Sequence, residues 1–222
     1  MIIKAKQLSK IYGSNNNKVI ALNNIDLEIN TGEFVSIIGP SGSGKSTLLH
    51  ILSGLDSPTS GQVLLDGKDM YKYSEKELST LRRKCFGFVF QQFNLLPVLT
   101  ASENISMPVL LDKRQPDKKY LDEISSLLRI SDRLHHLPHE LSGGQQQRVA
   151  TARALIAKPN VIFADEPTGN LDSKSGSEVM NLLIKTSKQF KKTLVVITHD
   201  DRIAKLADRQ LSIIDGILME VK

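Results

Sequence analysis

The sequence has one cysteine and no long apolar run. Cys85 alone cannot form an internal disulfide, which agrees with a reducing compartment. No stretch approaches the roughly 18 consecutive apolar residues that a membrane span requires. The N-terminal sequence MIIKAKQLSK also lacks the apolar block of a secretory signal. We therefore expect a protein that stays in the cytosol.

Aromatic residues are also few, at 5%. The net charge of +5 and the pI of about 9.2 favour an anionic partner. However, the basic residues stand in scattered pairs and triplets, without interleaved rings on which bases could stack. We therefore expect solvated basic faces and no nucleic-acid binding. Hydrophobic residues at 40% and charged residues at 24% are typical of a globular chain.

A glycine-rich turn lies between two apolar stretches in residues 34–47, which read FVSIIGPSGSGKST. Residues 34–38 predict a buried strand, and residues 46–55 predict a helix. The glycines let backbone N–H groups turn toward phosphate oxygens at the helix start. Lys45 adds a positive charge for the β- and γ-phosphates, and the Ser46 hydroxyl can bind Mg²⁺. The sequence therefore predicts a phosphate-binding loop made of Gly39, Pro40, Ser41, Gly42, Ser43, Gly44, Lys45, Ser46 and Thr47.

Alternating and periodic apolar residues predict the other elements. Residues 2–9 and 19–29 alternate apolar and polar side chains, which predicts an N-terminal β-structure with a polar turn at 13–18. Residues 93–158 have helical periodicity and few strand signals, which predicts an inserted helical block. After this block, predicted strands and helices alternate to the end of the chain. The whole pattern predicts an α/β fold.

Two carboxylates and a histidine follow predicted strands. Asp165 and Glu166 end a buried apolar run. Because successive strand side chains point to opposite faces, one carboxylate could hold Mg²⁺ while the other faces a water. His199 follows the strand-like run 193–198 and precedes a helix predicted to end near residue 207. Open α/β sheets bind ligands at the carboxyl ends of their strands, so these residues are candidates for a site.

Two further side chains each have two interpretations. Tyr12 stands before the predicted turn, where its ring could stack on a purine or be a half-buried strand tyrosine. Gln91 follows the strand-like run 86–90, either as a fraying polar residue or as a group that reaches the nucleotide. The residues alone leave both alternatives open.

A second anion-binding helix start is predicted at residues 141–145, which read LSGGQ. Ser142 is placed to cap a helix predicted at 146–157, and Gly143 and Gly144 expose backbone N–H groups. Within one chain, a second site of this kind has no evident use.

Together these motifs resemble those of ATP-binding cassette (ABC) ATPases over essentially the whole chain. GPSGSGKS matches the Walker A motif, VIFADE the Walker B motif with its following glutamate, and LSGGQ the family signature. Gln91 matches the Q-loop, residues 169–172 the D-loop, His199 the switch histidine and Tyr12 the aromatic A-loop. The resemblance implies a P-loop ATPase core with an N-terminal antiparallel β-subdomain and a helical subdomain at about 93–158, in one domain over residues 1–222.

The resemblance also implies roles for individual residues. Tyr12 would stack on adenine, and Gln91 would sense the γ-phosphate and the metal. Glu166 would polarise the attacking water, and His199 would contact the γ-phosphate. With ATP and Mg²⁺ as cofactors, the catalytic set would be Lys45, Gln91, Glu166 and His199, and the metal ligands would be Ser46, Gln91 and Asp165.

Members of this family act as head-to-tail dimers, with ATP between the Walker A loop of one subunit and the signature of the other. Ser142, Gly143, Gly144 and Gln145, together with Asp172 of the D-loop, would therefore bind nucleotide across a homodimer interface. The resemblance further implies an integral-membrane permease at the cytoplasmic face of the membrane. Residues 93–99 would receive its coupling helix.

The segments ADEPTGNLDS and FVFQQFNLLPVLTASENI resemble a narrower group, which serves macrolide export, lipoprotein release and antimicrobial-peptide resistance. This group also includes a related cell-division ATPase, so a role in cell-division or cell-wall machinery is the alternative to export. A ribosome- or DNA-directed ATPase is a third alternative. The chain has neither the second cassette nor the coiled-coil insertion that such members carry.

Overall fold

The computed structural model describes residues 2–14 and 17–221. Two residues of the predicted polar turn, 15 and 16, lie outside the described part. The chain divides into two compact units, one made of residues 1–82 and 195–222 and the other of residues 83–194. No helix in the described ranges is long and apolar enough to cross a membrane. The expectation of one domain over residues 1–222 stays a prediction.

The described residues form an α/β fold, as predicted. The strands are β1 (Ile3–Tyr12), β2 (Val19–Ile29), β3 (Phe34–Ile38), β4 (Ser60–Leu65), β5 (Lys68–Asp69), β6 (Phe86–Phe90), β7 (Val161–Asp165), β8 (Thr193–Ile197), β9 (Arg209–Ile214) and β10 (Ile217–Glu220). The α-helices are α1 (Lys45–Leu52), α2 (Glu75–Cys85), α3 (Ala101–Leu111), α4 (Lys118–Leu127), α5 (Gly143–Leu155), α6 (Ser173–Gln189) and α7 (Asp201–Ala204).

An antiparallel sheet in the first unit has the strand order β2-β1-β4-β5. Ile3 lies opposite Ile29 on one side and Leu65 on the other, and all three side chains are buried. Ile3 and Ala5 are buried two positions apart, as expected of a strand, and the register shift that follows makes Leu8 the next buried residue of β1. This sheet is the predicted N-terminal antiparallel β-subdomain.

The strand β3 leads into the predicted phosphate loop. It pairs in parallel with β9, which forms an antiparallel hairpin with β10. The helix α1 begins directly after the loop and buries Leu48, Leu49, Ile51 and Leu52 completely. A buried strand and a buried helix thus hold the two ends of the loop in place.

The second unit contains a parallel strand pair and helices. Phe88 of β6 stacks on Phe163 of β7 and Phe86 meets the same ring edge-on, with ring centroids 6.0 and 5.3 Å apart. The helix α5 packs on β6 at Gly87, where a Cβ would lie only 2.2 Å from the carbonyl oxygen of Ala154. Only glycine allows so close an approach of helix to strand.

The predicted helical block is confirmed. Residues 93–158 are all described and contain α3, α4, α5 and two 3₁₀ turns, with no strand among them. The helix α3 begins with a capping box between Thr100 and Glu103, and α5 begins with one between Ser142 and Gln145.

Some element boundaries differ from the predictions. The helix predicted at 146–157 begins at Gly143, because the capping box places both signature glycines in the first turn. The helix after β3 ends at Leu52, ahead of the positive-φ residue Gly54. The helix predicted to end near residue 207 stops at Ala204, because the chain turns there so that the Asp208 carboxylate accepts the Phe34 N–H at 2.8 Å.

We predict that Phe163→Ala lowers the free energy of unfolding by about 3–5 kcal/mol, because it removes a ring that is 1% exposed and contacts two other rings. Urea unfolding followed by circular dichroism measures the change. Val98→Ala is the control, since the Val98 side chain is 80% exposed and its truncation should change stability by less than about 0.5 kcal/mol. Equal midpoints for Phe163→Ala and the wild type would contradict the proposed core.

Candidate nucleotide-binding site

The loop between β3 and α1 ends at Gly44, which has a φ of 106°. A Cβ at this position would lie 2.2 Å from the carbonyl oxygen of Ala21 on β2, so no other residue fits without displacing the backbone. Gly44 supplies no side-chain cap to α1, and the first turn of α1 contains no acidic residue. The positive end of this helix is therefore not neutralised by its own residues and favours an anion.

Lys45 lies at the same helix start. Its side chain is buried, and Nζ donates to the carbonyl oxygens of Gly39 at 2.9 Å and Pro40 at 2.7 Å. The ammonium group is thus folded back over the loop. A phosphate bound within the loop would meet both this charge and the helix dipole.

Tyr12 lines the same cavity as the loop. The cavity has a volume of about 270 Å³ and lies wholly within the first unit. Tyr12 is far from the loop in sequence, and the structure brings the two predicted groups together. The cavity is lined by Tyr12, Val19, Ala21, Gly42, Gly44, Lys45, Ser46 and Thr47.

The Tyr12 ring is held by a carboxylate that the sequence analysis missed. Tyr12 Oη donates to Asp56 Oδ2 at 2.6 Å, and Lys10 Nζ donates to Asp56 Oδ1 at 2.7 Å. Lys10 Nζ also lies 4.8 Å from the centroid of the Tyr12 ring. Asp56 stands in a turn rich in glycine, serine and proline, and no local pattern distinguishes it from an ordinary turn acid.

The electrostatics of this cluster are consistent with a fixed ring. Burial raises the pKa of the Tyr12 hydroxyl, and the hydrogen bond to Asp56 raises it further, so the hydroxyl remains a donor. Burial alone would raise the pKa of Asp56, but the hydrogen bonds from Lys10 and Tyr12 outweigh it and lower the pKa. The carboxylate is therefore charged at neutral pH and accepts from both partners.

His199 belongs to the first unit and follows β8. Thr198, the preceding residue, donates its N–H to the carbonyl oxygen of Ile37 on β3 at 3.2 Å. His199 thus stands beside the end of the strand that leads into the loop, and its side chain is exposed. It is not among the residues that line the cavity.

In the second unit, Gln91 follows β6 and forms a reciprocal pair with Asn170 of the predicted D-loop. Gln91 Nε2 donates to Asn170 Oδ1 at 3.3 Å, and Asn170 Nδ2 donates to the Gln91 carbonyl oxygen at 3.1 Å. The predicted Q-loop and D-loop thus meet within this unit. No sequence pattern pairs the two amides, because they stand 79 positions apart.

Asp165 is the last residue of β7, and Glu166 has a φ of 44°. The expectation that the two carboxylates alternate as successive strand residues is therefore wrong, since Glu166 leaves strand geometry. A left-handed backbone is uncommon in a residue other than glycine, and nine other non-glycine residues among those described also have one. The Gly169 N–H donates to the Glu166 carbonyl oxygen at 3.0 Å and closes the turn that follows.

The predicted signature and D-loop residues occupy helix starts. Ser142 Oγ accepts the Gln145 N–H at 3.3 Å, and Gln145 Oε1 accepts the Ser142 N–H at 2.9 Å. Asp172 caps α6 by accepting the N–H groups of Lys174 and Ser175, and the hydrogen bonds from Ser175 lower its pKa. The side chains of Ser142, Gln145 and Asp172 therefore cap helices. Their contact with nucleotide stays a prediction.

The chain is similar to known proteins of one family over most of its length. The profile of the ABC transporter family matches residues 22–169. The chain is 50% identical to the uncharacterized ABC transporter ATP-binding protein MJ1508 of Methanocaldococcus jannaschii, over 99% of both chains. It is 45% identical to the lipoprotein-releasing system ATP-binding protein LolD of Shewanella frigidimarina, over 99% of this chain and 93% of LolD. Both relatives match almost end to end.

A longer relative contains the chain as one part. The macrolide export ATP-binding/permease protein MacB of Marinobacter nauticus is 48% identical over 99% of this chain, which spans only 34% of MacB. Among solved structures, the dimeric ABC transporter cassette MJ0796 is similar with a TM-score of 0.88 at 43% identity, covering 100% of this chain and 99% of that one. A second MJ0796 dimer, in a post-hydrolysis state bound to ADP and Pi, matches equally well.

We predict that Tyr12→Phe weakens ADP binding about threefold to tenfold, although the ring is kept. The variant loses the hydrogen bond to Asp56 that orients the ring at the cavity, and such a bond contributes roughly 1 kcal/mol. Titration calorimetry with ADP measures the dissociation constant. Tyr73→Phe is the matched control, because Tyr73 is a tyrosine of the same unit outside the cavity lining. Equal affinities for the two variants would show that Asp56 does not orient the ring.

Proposed function

The chain belongs to the ABC transporter family of ATP-binding proteins, and from this premise we propose how its parts divide the work of ATP hydrolysis. It is an ATP-binding subunit that hydrolyses ATP to power a membrane transporter. We place it on the cytoplasmic face of the membrane, beside an integral-membrane permease that serves export or resistance to macrolides or antimicrobial peptides. The observation that carries the proposal is the cavity shared by the Lys45 loop and the Tyr12 ring.

The first unit binds the nucleotide. The uncompensated start of α1 and the Lys45 ammonium are suited to the β- and γ-phosphates, and the Tyr12 ring is suited to adenine. The residues 39–47 enclose the phosphates, with backbone N–H groups as donors. His199, beside the end of β3, contacts the γ-phosphate.

The residues present also fit Mg²⁺. No group of three or more histidine, cysteine, aspartate and glutamate side chains that could hold a metal ion occurs in the described ranges. A Mg²⁺ ion here would take phosphate oxygens of the nucleotide as further ligands, as is usual for Mg²⁺. Ser46, Asp165 and Gln91 are its proposed protein ligands. Bound Mg²⁺ supplies positive charge to the phosphate oxygens.

Glu166 orients the attacking water. It lies directly after β7, on a turn closed by the hydrogen bond from the Gly169 N–H to its carbonyl oxygen. Lys45, Gln91 and His199 complete the catalytic set by positioning and neutralising the γ-phosphate. The protein thus acts by orientation and charge stabilisation, as phosphoryl transfer requires.

The active form is a homodimer in the ATP-bound state. The solved MJ0796 cassettes, at 43% identity, are dimeric, which supports the same assembly here. In such a dimer the helix start of α5 binds nucleotide held by the partner subunit. Its residues Ser142, Gly143, Gly144 and Gln145, with Asp172, form that second contact.

The permease docks on residues 93–99. Leu96 is 45% and Val98 80% exposed, and this apolar pair lies between β6 and α3. Charged residues are absent from the segment FNLLPVL, as expected of the centre of a protein interface.

We expect Glu166→Gln to lower kcat about 100-fold or more and to trap an ATP-bound dimer, because loss of a general base typically costs that much. Steady-state phosphate release and size exclusion in Mg²⁺ and ATP measure the two effects. Glu123→Gln, which neutralises an exposed carboxylate on α4, is the control and should match the wild type. A Glu166→Gln variant that stays monomeric and hydrolyses ATP normally would disprove the assignment.

We also expect Val98→Asp to lose the permease while keeping ATPase activity, since a charge in an apolar contact opposes burial. The tagged chain is extracted from native membranes in mild detergent, and co-purifying proteins are identified by mass spectrometry. Leu206→Asp, at another exposed apolar residue, controls for added charge. Retention of the permease by Val98→Asp argues against docking at 93–99, and a partner from cell-wall machinery would favour the cell-division alternative.

A further inference from the structure

Gln147 is a buried polar side chain on α5 that the roles assigned above do not use. It is completely inaccessible to solvent and stands two residues after the signature. Nε2 donates to the carbonyl oxygen of Phe90 at 3.0 Å and to that of Pro167 at 2.5 Å. Phe90 directly precedes Gln91, and Pro167 directly follows Glu166. One amide group therefore joins the backbones next to two proposed catalytic residues.

The chemistry of the amide explains why glutamine suits this position. A primary amide has two N–H donors on one neutral nitrogen, so it can hold two carbonyl oxygens at a set separation without burying a charge. Glutamate offers no donor when ionised, and leucine or methionine offers none at all. Without Gln147, both carbonyl oxygens would lose a partner in a buried region, at roughly 1–3 kcal/mol each.

The remaining polar atom of the side chain, Oε1, indicates which part of the amide this position uses. Gln147 Oε1 is buried and has no hydrogen-bond partner among the described residues. An unsatisfied buried acceptor destabilises the fold. Glutamine is thus a poor choice for packing alone, and its two donors are the feature that the position uses.

The same helix holds the other side of the Q-loop. The Arg153 guanidinium donates to the carbonyl oxygens of Phe93 at 2.8 Å and Asn94 at 2.5 Å, and burial lowers its pKa. Gln147 and Arg153 therefore connect α5 to the backbone on both sides of Gln91. Only Gln147 also reaches the turn that carries Glu166.

We propose that Gln147 is a positioning residue that sets Gln91 and Glu166 relative to each other. This inference rests on the proposed function, in which Gln91 binds the γ-phosphate and metal and Glu166 orients the water. A shift of about 1 Å in either group is enough to slow the reaction by about 100-fold. The nucleotide-binding cavity lies in the other unit and is not lined by Gln147. We therefore expect a substitution of Gln147 to lower kcat and to leave nucleotide affinity unchanged.

The test is Gln147→Met, which keeps the length of the side chain and removes both donors. We expect kcat to fall about 10- to 100-fold, while KM for ATP and the dissociation constant of ADP stay within about twofold. Thr151→Val is the matched control, because Thr151 is also buried on α5 but its hydroxyl donates to the Gln147 carbonyl oxygen within the helix. Gln147→Leu is the second variant, and urea unfolding followed by circular dichroism establishes that each variant is folded.

A double-mutant cycle with Gln91→Ala separates positioning from a general loss of stability. If Gln147 acts through Gln91 and Glu166, Gln147→Met slows Gln91→Ala by clearly less than it slows the wild type. A wild-type kcat in folded Gln147→Met and Gln147→Leu would overturn the inference, as would a loss that is fully additive with Gln91→Ala. If the wild-type protein itself does not hydrolyse ATP, it is the proposed function that fails.

Discussion

The close contact between Gly44 and the carbonyl oxygen of Ala21 is the constraint on which the nucleotide site depends. It presses the phosphate loop against β2, whose partner in the sheet is β1. Because β1 ends at Tyr12, the same contact brings the aromatic ring to the cavity that Lys45 lines. A larger residue at position 44 would separate the two halves of the cavity and also obstruct the start of α1. One glycine thus brings the Lys45 side chain and the Tyr12 ring to the same cavity.

In the second unit, neutral amides make the connections between functional segments. Gln91 and Asn170 exchange hydrogen bonds, and Gln147 holds the backbones beside Gln91 and Glu166. Amides supply direction without charge, which suits them to hold backbone carbonyl oxygens in a buried region. Charged side chains make other links of α5, since Arg153 donates to the carbonyl oxygens of Phe93 and Asn94 and Arg148 pairs with Glu178 of α6.

Local sequence patterns predicted the elements and the loop, because periodicity, caps and glycine-rich turns act over a few residues. The strand before Gly39, the helix cap at Ser142 and the helical block at 93–158 are all of this kind. What could not be predicted are partners distant in the chain. The Tyr12–Asp56 bond spans 44 positions and the Gln147–Phe90 bond 57, and neither leaves a periodic trace. The backbone of Glu166 was also missed, since a positive φ in glutamate has no residue-type signal.

The segment proposed to receive the permease is ordered by polar contacts, which leaves its apolar side chains on the outside. Asn104 of α3 is fully buried, and its amide accepts the Leu96 N–H at 2.8 Å and donates to the Leu96 and Leu99 carbonyl oxygens at 3.1 and 2.9 Å. The backbone therefore needs no burial of Leu96 or Val98 to keep its shape. At its N-terminal end the segment is tied through Arg153 to α5, the helix that begins with the signature. If the permease docks on this segment as proposed, Arg153 connects the docking segment to the helix that begins with the signature.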